Sequence, residues 1–278
     1  MFERLLIATD GSDCATQAAR AGVAMAATYG ASVDAVAVAH DELEEEDAER
    51  ILQEVETIGE DAGVTVESHV VSGRPAKAVV TLADEVGADA IVVGRHGRSG
   101  FRDRLLGSVT ERVLRRTDRH VLTVPAGDGP VGDYTDVLLP TDGSEDAAAA
   151  GPPATDLALT YGATLHVLGV VDVARESGPF SAGGVDQAYI DRLLDAEREG
   201  VDALADDCAD RADDDLPIER VAVTGTPSEA IVEYVEDEGV DLVVMSSSGQ
   251  SSLTGQLLGS TTDRVLRTID EPVLVVHP

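Results

Sequence analysis

Short apolar runs separated by amphipathic stretches recur along the whole chain. Leu5-Leu6-Ile7-Ala8 is one such run, and Gly11-Ser12-Asp13 after it supplies a turn and a helix N-cap. An alanine-rich helix follows and stops at Gly30. Val33 to Val38 reads as the second strand. In the acidic stretch that begins at Asp41, Ile51, Leu52, Val55 and Ile58 trace one helical face, so the charges form its solvated side. Val64 to Val71 is a third strand. Pro75 then opens a helix that Gly87 closes, with proline inside the start and glycine past the end. Ala90 to Val93 is a fourth strand, a fourth helix starts at Gly107, and His120 to Val124 is a last strand. Strands alternating with amphipathic helices predict an α/β fold, a parallel sheet covered on both faces. Ligands of such sheets lie beyond the carboxyl ends of the strands, where the strand order reverses.

The pattern occurs twice. Thr9-Asp10-Gly11-Ser12 returns as Thr141-Asp142-Gly143-Ser144 and Tyr29-Gly30-Ala31 as Tyr161-Gly162-Ala163, both at an offset of 132 residues. Leu106-Gly107-Ser108 returns as Leu258-Gly259-Ser260 at an offset of 152. The second copy therefore carries about 20 additional residues, and they fall near 174–199. A flexible lid and a plain loop extension are both readings of that insertion, the extension being the simpler. The expected division is a first domain over 1–126, a linker over 127–133 rich in Gly and Asp, and a second domain over 134–278. Pro152-Pro153 interrupts the first helix of the second copy and predicts a kink or a shifted start.

The charge balance narrows the classes of partner. The 278 residues include 53 acidic and 20 basic ones, for a formal net charge of −33, and Lys77 is the single lysine. Like-charge repulsion argues against nucleic acids and anionic membranes as partners. With 43% hydrophobic residues the chain has the apolar surface to fold, so the acidity reads as adaptation to a very salty cytoplasm, where screening is nearly complete. Cys14 and Cys208 lie far apart with no Cys or His at metal-ligand spacing, which fits a reduced compartment. No basic-then-apolar leader and no apolar run near 18 residues occurs, so a cytoplasmic protein is expected.

Candidate chemistry concentrates after the fourth strand, in "GRHGRSGFRDRLLGS" from Gly94 to Ser108. Gly94 and Gly97 let the backbone turn sharply or approach a ligand. Gly107-Ser108 begins a helix whose first N–H groups lack intrahelical partners and favour a phosphate, to which the Ser108 and Thr110 hydroxyls can add bonds. No Gly-Lys-Ser/Thr follows, so this is not a Walker A loop, and the spacing is not that of a dinucleotide fingerprint.

Gly94-x2-Gly97-x9-Gly107-Ser108 resembles the full G-x2-G-x9-G-(S/T) motif of the universal stress protein family, and the likeness covers both copies. The resemblance implies two tandem open, parallel, five-stranded Rossmann-like sheets of the adenine nucleotide alpha-hydrolase-like type. It implies a soluble stress-response or sensor protein that binds ATP, with AMP or ADP as alternatives and Mg or Mn accompanying the phosphates. Carried over by position, Thr9 and Asp10 would line the ribose and phosphate side, Asp10 also meeting the cation through the phosphates. Val38 would meet adenine through its backbone. Gly94, Arg95, His96 and Gly97 with Gly107, Ser108, Val109 and Thr110 would cradle the phosphates. A lone His96 reads as a hydrogen-bond donor or spacer rather than a base, and Asp10 has a competing role in the turn and helix cap.

In the second copy the corresponding residues are Thr141, Asp142, Val170, Ser246, Gly249, Gly259, Ser260, Thr261 and Thr262. Ser246 replaces the first glycine and crowds a backbone approach to phosphate. Eight arginines lie between Arg95 and Arg119, against Arg264 and Arg267 in the matching segment. Arg112, Arg115, Arg116 and Arg119 read as surface pairs on the following helix. Strands 120–124 and 272–276 are expected at sheet edges, the family's dimer contact, which implies an internal pseudo-dimer and leaves a homodimer open. Two other functions compete: a nucleotide-free interaction scaffold, and a slow ATP-hydrolysing or adenylating enzyme. No nucleophile and base pair is evident, and the early turn lacks the Ser-Gly-Gly run of adenylating enzymes.

Overall fold

The computed structural model describes residues 1–40, 43–97, 106–127, 132–173, 186–212, 215–248 and 258–278. Two compact units are present: Met1–Asp133 together with Asp270–His277, and Tyr134–Gly255 together with Gly259–Ile269.

The first unit runs β1 (Arg4–Ala8), α1 (Asp13–Tyr29), β2 (Ser32–Ala39), α2 (Glu45–Ala62), β3 (Val66–Ser72), α3 (Pro75–Val86), β4 (Ala90–Gly94), α4 (Ser108–Leu114) and β5 (His120–Val124). Its parallel strands lie in the order β3-β2-β1-β4-β5, with Leu6 opposite Asp34 on one side and Ile91 on the other. Leu5, Leu6 and Ile7 are consecutive and all fully buried, which a strand achieves only when both its faces are covered. The sheet therefore carries α1 beside α2 and α3 beside α4. Strand order reverses between β1 and β4, because β2 and β3 lie to one side of β1 and β4 and β5 to the other.

Local chemistry sets the helix ends as the pattern predicts. Ser12 caps α1 by accepting from the Ala15 N–H at 3.3 Å, and Gly30 ends the helix in the left-handed conformation at φ 65°. Helix α2 approaches the start of β3 so closely that a Cβ on Gly59 would stand 2.8 Å from the Val64 carbonyl oxygen. Gly59→Ala is thus expected to cost about 1–3 kcal/mol of stability by overpacking, measurable as a lowered denaturation midpoint.

The second unit runs β6 (Asp136–Thr141), α5 (Glu145–Ala148), α6 (Gly151–Tyr161), β7 (Thr164–Val171), α7 (Gln187–Arg211), β8 (Ile218–Thr224), α8 (Pro227–Glu238), β9 (Leu242–Ser246) and α9 (Ser260–Thr268). Its four strands are parallel in the order β9-β6-β7-β8, so the reversal falls between β6 and β9. The helix break expected at Pro152-Pro153 is present: α5 ends after four residues, and α6 begins with the prolines in its first turn, where a missing N–H costs nothing. The insertion is helical from Gln187 onward, as the opening turns of α7.

The last strand, β10 (Val273–Val276), pairs antiparallel with β5, Leu274 opposite Leu122, and Thr123 Oγ1 donates to the Val273 carbonyl at 3.3 Å. As expected, β5 is the edge of the parallel order β3-β2-β1-β4-β5, and its outer side is the one that β10 pairs with. An apolar edge strand offers a free ladder, and here the chain's own last strand takes it.

Candidate functional site

The turn after β1 is fixed before any ligand is considered. Asp10 Oδ1 accepts from the Ser12 N–H at 3.0 Å and from Ser12 Oγ at 2.6 Å, and Gly11 turns at φ 73°. Thr9 Oγ1 accepts from the Gly11 N–H at 3.2 Å. These bonds hold the Asp10 carboxylate at the carboxyl end of β1.

The segment after β4 meets it there. A Cβ on Gly94 would lie 2.9 Å from the Ala15 nitrogen and the Cys14 carbonyl carbon, so only glycine lets β4 end against the first turn of α1. At Gly97 a Cβ would lie 2.6 Å from Asp10 Oδ2. Thr110 Oγ1 donates to the Gly94 carbonyl at 2.8 Å, and the Gly107 N–H donates to the Arg95 carbonyl at 2.9 Å. Helix α4 is thereby tied to the end of β4 at two points.

Between these walls is a cavity of about 360 Å³. One end is polar and mostly backbone, formed by Asp10, Gly94, Gly97 and Gly107 with Ser108 and Thr110. The other is an apolar slot between Val36, Val38, Leu43 and Val79. Of the first-copy residues singled out in the sequence, Thr9, Asp10, Val38, Gly94, His96, Gly97, Gly107, Ser108, Val109 and Thr110 all line it. Arg95 does not. Its side chain is 2% exposed, and its guanidinium donates to the Glu271 carbonyl at 2.7 Å, ahead of β10. Burial lowers its pKa to about 10. The reason is alternation along an extended segment: Gly94 and His96 face the cavity, and the residue between them faces away.

Sequence reasoning missed several lining residues. His40 and Leu43, after β2, exchange two backbone hydrogen bonds of 2.9 Å, and both line the cavity. Pro75 and Val79 come from the start of α3, whose proline marks the rim of the neighbouring strand. Arg112, read as a surface residue, lines the cavity because it lies one helical turn beyond Ser108. Arg98, Arg102 and Arg104 fall outside the described residues.

A cavity of about 320 Å³ lies at the corresponding point of the second unit. Thr141, Asp142, Val170, Ser246, Gly259, Ser260, Thr261 and Thr262 line it, and Gly249 falls outside the described residues. The scaffold repeats: Asp142 Oδ1 accepts from the Ser144 N–H at 3.1 Å, Thr262 Oγ1 donates to the Ser246 carbonyl at 2.9 Å, and the Gly259 N–H donates to the Ser247 carbonyl at 2.8 Å. New here is α7, which contributes Leu193, Ala196 and Glu197.

Away from both cavities, Asp34, Glu67 and His69 bring ligand-type atoms within 4.8 Å of one another. The Asp34 carboxylate, the one buried member, is already matched, to His69 Nε2 at 2.7 Å and to the Arg4 guanidinium at 3.3 Å, so the group reads as a partly buried polar network about that carboxylate.

The family model of universal stress proteins matches residues 1–125 and again 133–277. The chain belongs to the universal stress protein family. A universal stress protein of Mycobacterium tuberculosis is 30% identical over 230 residues, covering 80% of this chain and 72% of that one. One from Mycolicibacterium smegmatis is 30% identical over 243 residues, 85% of this chain and 79% of its own length. Among solved structures, a universal stress protein from Archaeoglobus fulgidus superposes with a TM-score of 0.73 at 23% identity, over 98% of this chain and 97% of that one. That last likeness shows the α/β fold. As a tandem universal stress protein the chain thus carries two family domains, and among the described residues no helix is long and apolar enough to cross a membrane.

Proposed function

We propose that this universal stress protein binds one adenine nucleotide, ATP by preference over ADP or AMP, in the cavity of its first unit. The observation that carries the reading is the cavity's two-ended lining: an apolar slot at Val36, Val38, Leu43 and Val79, and a glycine-lined polar end beside Asp10. A planar base fits the first and a phosphate chain the second. There the Gly97 backbone and the start of α4 offer N–H groups and the Ser108 hydroxyl can add a bond, with Arg112 in the same lining, while the Thr110 hydroxyl donates to the Gly94 carbonyl and so fixes the wall rather than the phosphate. Asp10 is the one carboxylate among the described lining residues, and its Oδ2 faces Gly97. That position suits a Mg or Mn ion carried in on the phosphates, because a hard cation takes few protein carboxylates and the rest of its ligands from phosphate and water.

The role follows as sensing rather than turnover. With its carboxylate committed to the turn through Ser12, Asp10 is positioned to hold charge, and nucleotide bridging the ends of β1, β2 and β4 would stiffen the rim that partners read. The acidity of the chain belongs to the same proposal, as an adaptation to a cytoplasm of molar salt.

The test is direct. Protein purified in molar KCl without added nucleotide is denatured, and the released small molecules are identified by chromatography and mass. Adenine nucleotide at about one equivalent per chain is expected. No release, together with no binding in a titration with ATP and Mg up to millimolar concentration, would overturn the reading and favour a scaffold.

A further inference from the structure

The two cavities share a scaffold and differ in charge. The first is lined by Arg112, His40 and His96 against a single carboxylate, Asp10. The second is lined by three carboxylates, Asp142, Asp172 and Glu197, and by no cationic side chain among its described residues. The connecting segments differ in the same sense at the level of sequence: 98–105 contains Arg98, Arg102 and Arg104, whereas 249–257 contains no charged residue.

Glu197 is present because α7 is longer than its counterpart. Val201, Leu204, Ala205 and Cys208 are buried with the same spacing as Ala48, Ile51, Leu52 and Val55 of α2. Ala48 is the fourth residue of α2, but Val201 is the fifteenth of α7. The difference is about three extra turns at the amino end, and Leu193, Ala196 and Glu197 of the second cavity's wall sit on them. Glu197 lies directly on the backbone of β7, its Oε1 2.5 Å and its Cγ 2.8 Å from where a Cβ of residue 169 would be. Residue 169 is glycine, which makes that approach feasible, and the matching position of the first copy is Ala37. The next residue, Val170, stands where Val38 stands in the first cavity. The carboxylate of Glu197 therefore enters the side of the cavity that would receive the base and ribose. Partial burial raises its pKa, and the neighbouring Asp142 raises it further, which places the two acids within electrostatic reach.

We propose that the second cavity is closed to nucleoside polyphosphates, and that Glu197, carried in by the extension of α7, is the residue that sets this selectivity. The inference rests on nucleotide binding in the first cavity. A polyphosphate entering the second would bring several negative charges beside Asp142 and Glu197 in a partly enclosed site, where salt screens poorly. In the first cavity it meets Asp10 with Arg112 in the same wall. Ser246, by contrast, leaves the loop tie intact, since the Thr262 and Gly259 bonds match those of Thr110 and Gly107.

The experiment counts ATP bound per full-length chain by equilibrium dialysis with Mg in molar KCl. Wild-type protein is expected to bind one ATP, Gly97→Val none, and Glu197→Gln two, the second at least tenfold weaker than the first. In the Gly97→Val/Glu197→Gln double variant the single remaining ATP reports the second cavity alone. Two ATP per wild-type chain, one of them surviving Gly97→Val, would overturn this inference and leave the first-cavity reading standing. No gain of a second ATP in Glu197→Gln, or a gain in Glu197→Ala alone, would overturn the role given to the Glu197 charge. No ATP on the wild-type chain would overturn the nucleotide reading itself and this inference with it.

Discussion

Replacing Gly97 by valine is expected to abolish ATP binding while the protein stays folded. The new Cβ would lie 2.6 Å from Asp10 Oδ2, too close for any real side chain, so either the carboxylate or the loop must move. The two methyl groups would also fill the polar end of the cavity, where the phosphates are placed. Titration with ATP and Mg should show binding weakened at least ~100-fold, about 3 kcal/mol. The contacted atom is a side-chain oxygen at a rim, and Gly97 has no left-handed φ to lose, so far-ultraviolet circular dichroism should be unchanged. Gly94 gives the informative contrast. There the clash is with backbone atoms of Cys14 and Ala15, which cannot step aside without moving α1, and Gly94→Val should lower stability as well as binding. Unchanged affinity in Gly97→Val would remove the phosphate from this loop.

The second large effect is a loss of stability in acid that depends on His277. Burial first and the nearby His120 second lower the pKa of this imidazole, with Asp118 acting the other way, and the net result is about 4. His120 is itself lowered by burial, opposed by Asp89, and it accepts a hydrogen bond from the His277 N–H at 3.4 Å. A histidine whose pKa is depressed by folding takes up its proton more readily in the unfolded chain. Its neutral form is fully compatible with folding above the unfolded pKa near 6.5, and stability falls as pH drops from there to about 4. The full loss is about 3 kcal/mol. Many carboxylates titrate over part of the same range, so the comparison is with His277→Gln, which cannot charge. The stability difference between the variant and the wild type should shift in favour of the variant by that amount between pH 6.5 and 4, measured by denaturant unfolding. Parallel pH profiles for the two proteins would refute it.

Much of the fold was legible because the determinants are local. Ser12, Pro75 and the glycines at 30 and 87 end or begin helices through bonds within a turn or two, and the runs at Leu5, Val33 and Ala90 are buried strands by composition alone. The core of the candidate site was legible for the same reason, since its glycines and Asp10 belong to two short segments. What escaped depended on distant packing. Arg95 looked like a phosphate ligand by position, and only the arrival of the segment around Glu271 shows where its guanidinium goes. Leu43 lies within the acidic stretch and His40 immediately before it, with nothing nearby in the sequence to mark a cavity wall. Glu197 sits in a charge-rich helix whose extra turns could be counted only after its buried face had been matched to that of α2.

The pairing of β10 with β5 has a consequence for synthesis. Unit one is completed by a strand made much later than the rest of it: about 150 residues separate Val124 from Val273, and at roughly 5–20 residues per second the ribosome needs about 10–30 seconds to cross them. During that interval the apolar ladder of β5 has no partner from its own chain, and any other strand of matching polarity competes for it. A chain stalled or truncated before Val273 would leave that ladder permanently open. For this protein, aggregation of nascent and shortened chains is therefore a greater hazard than aggregation of the finished one.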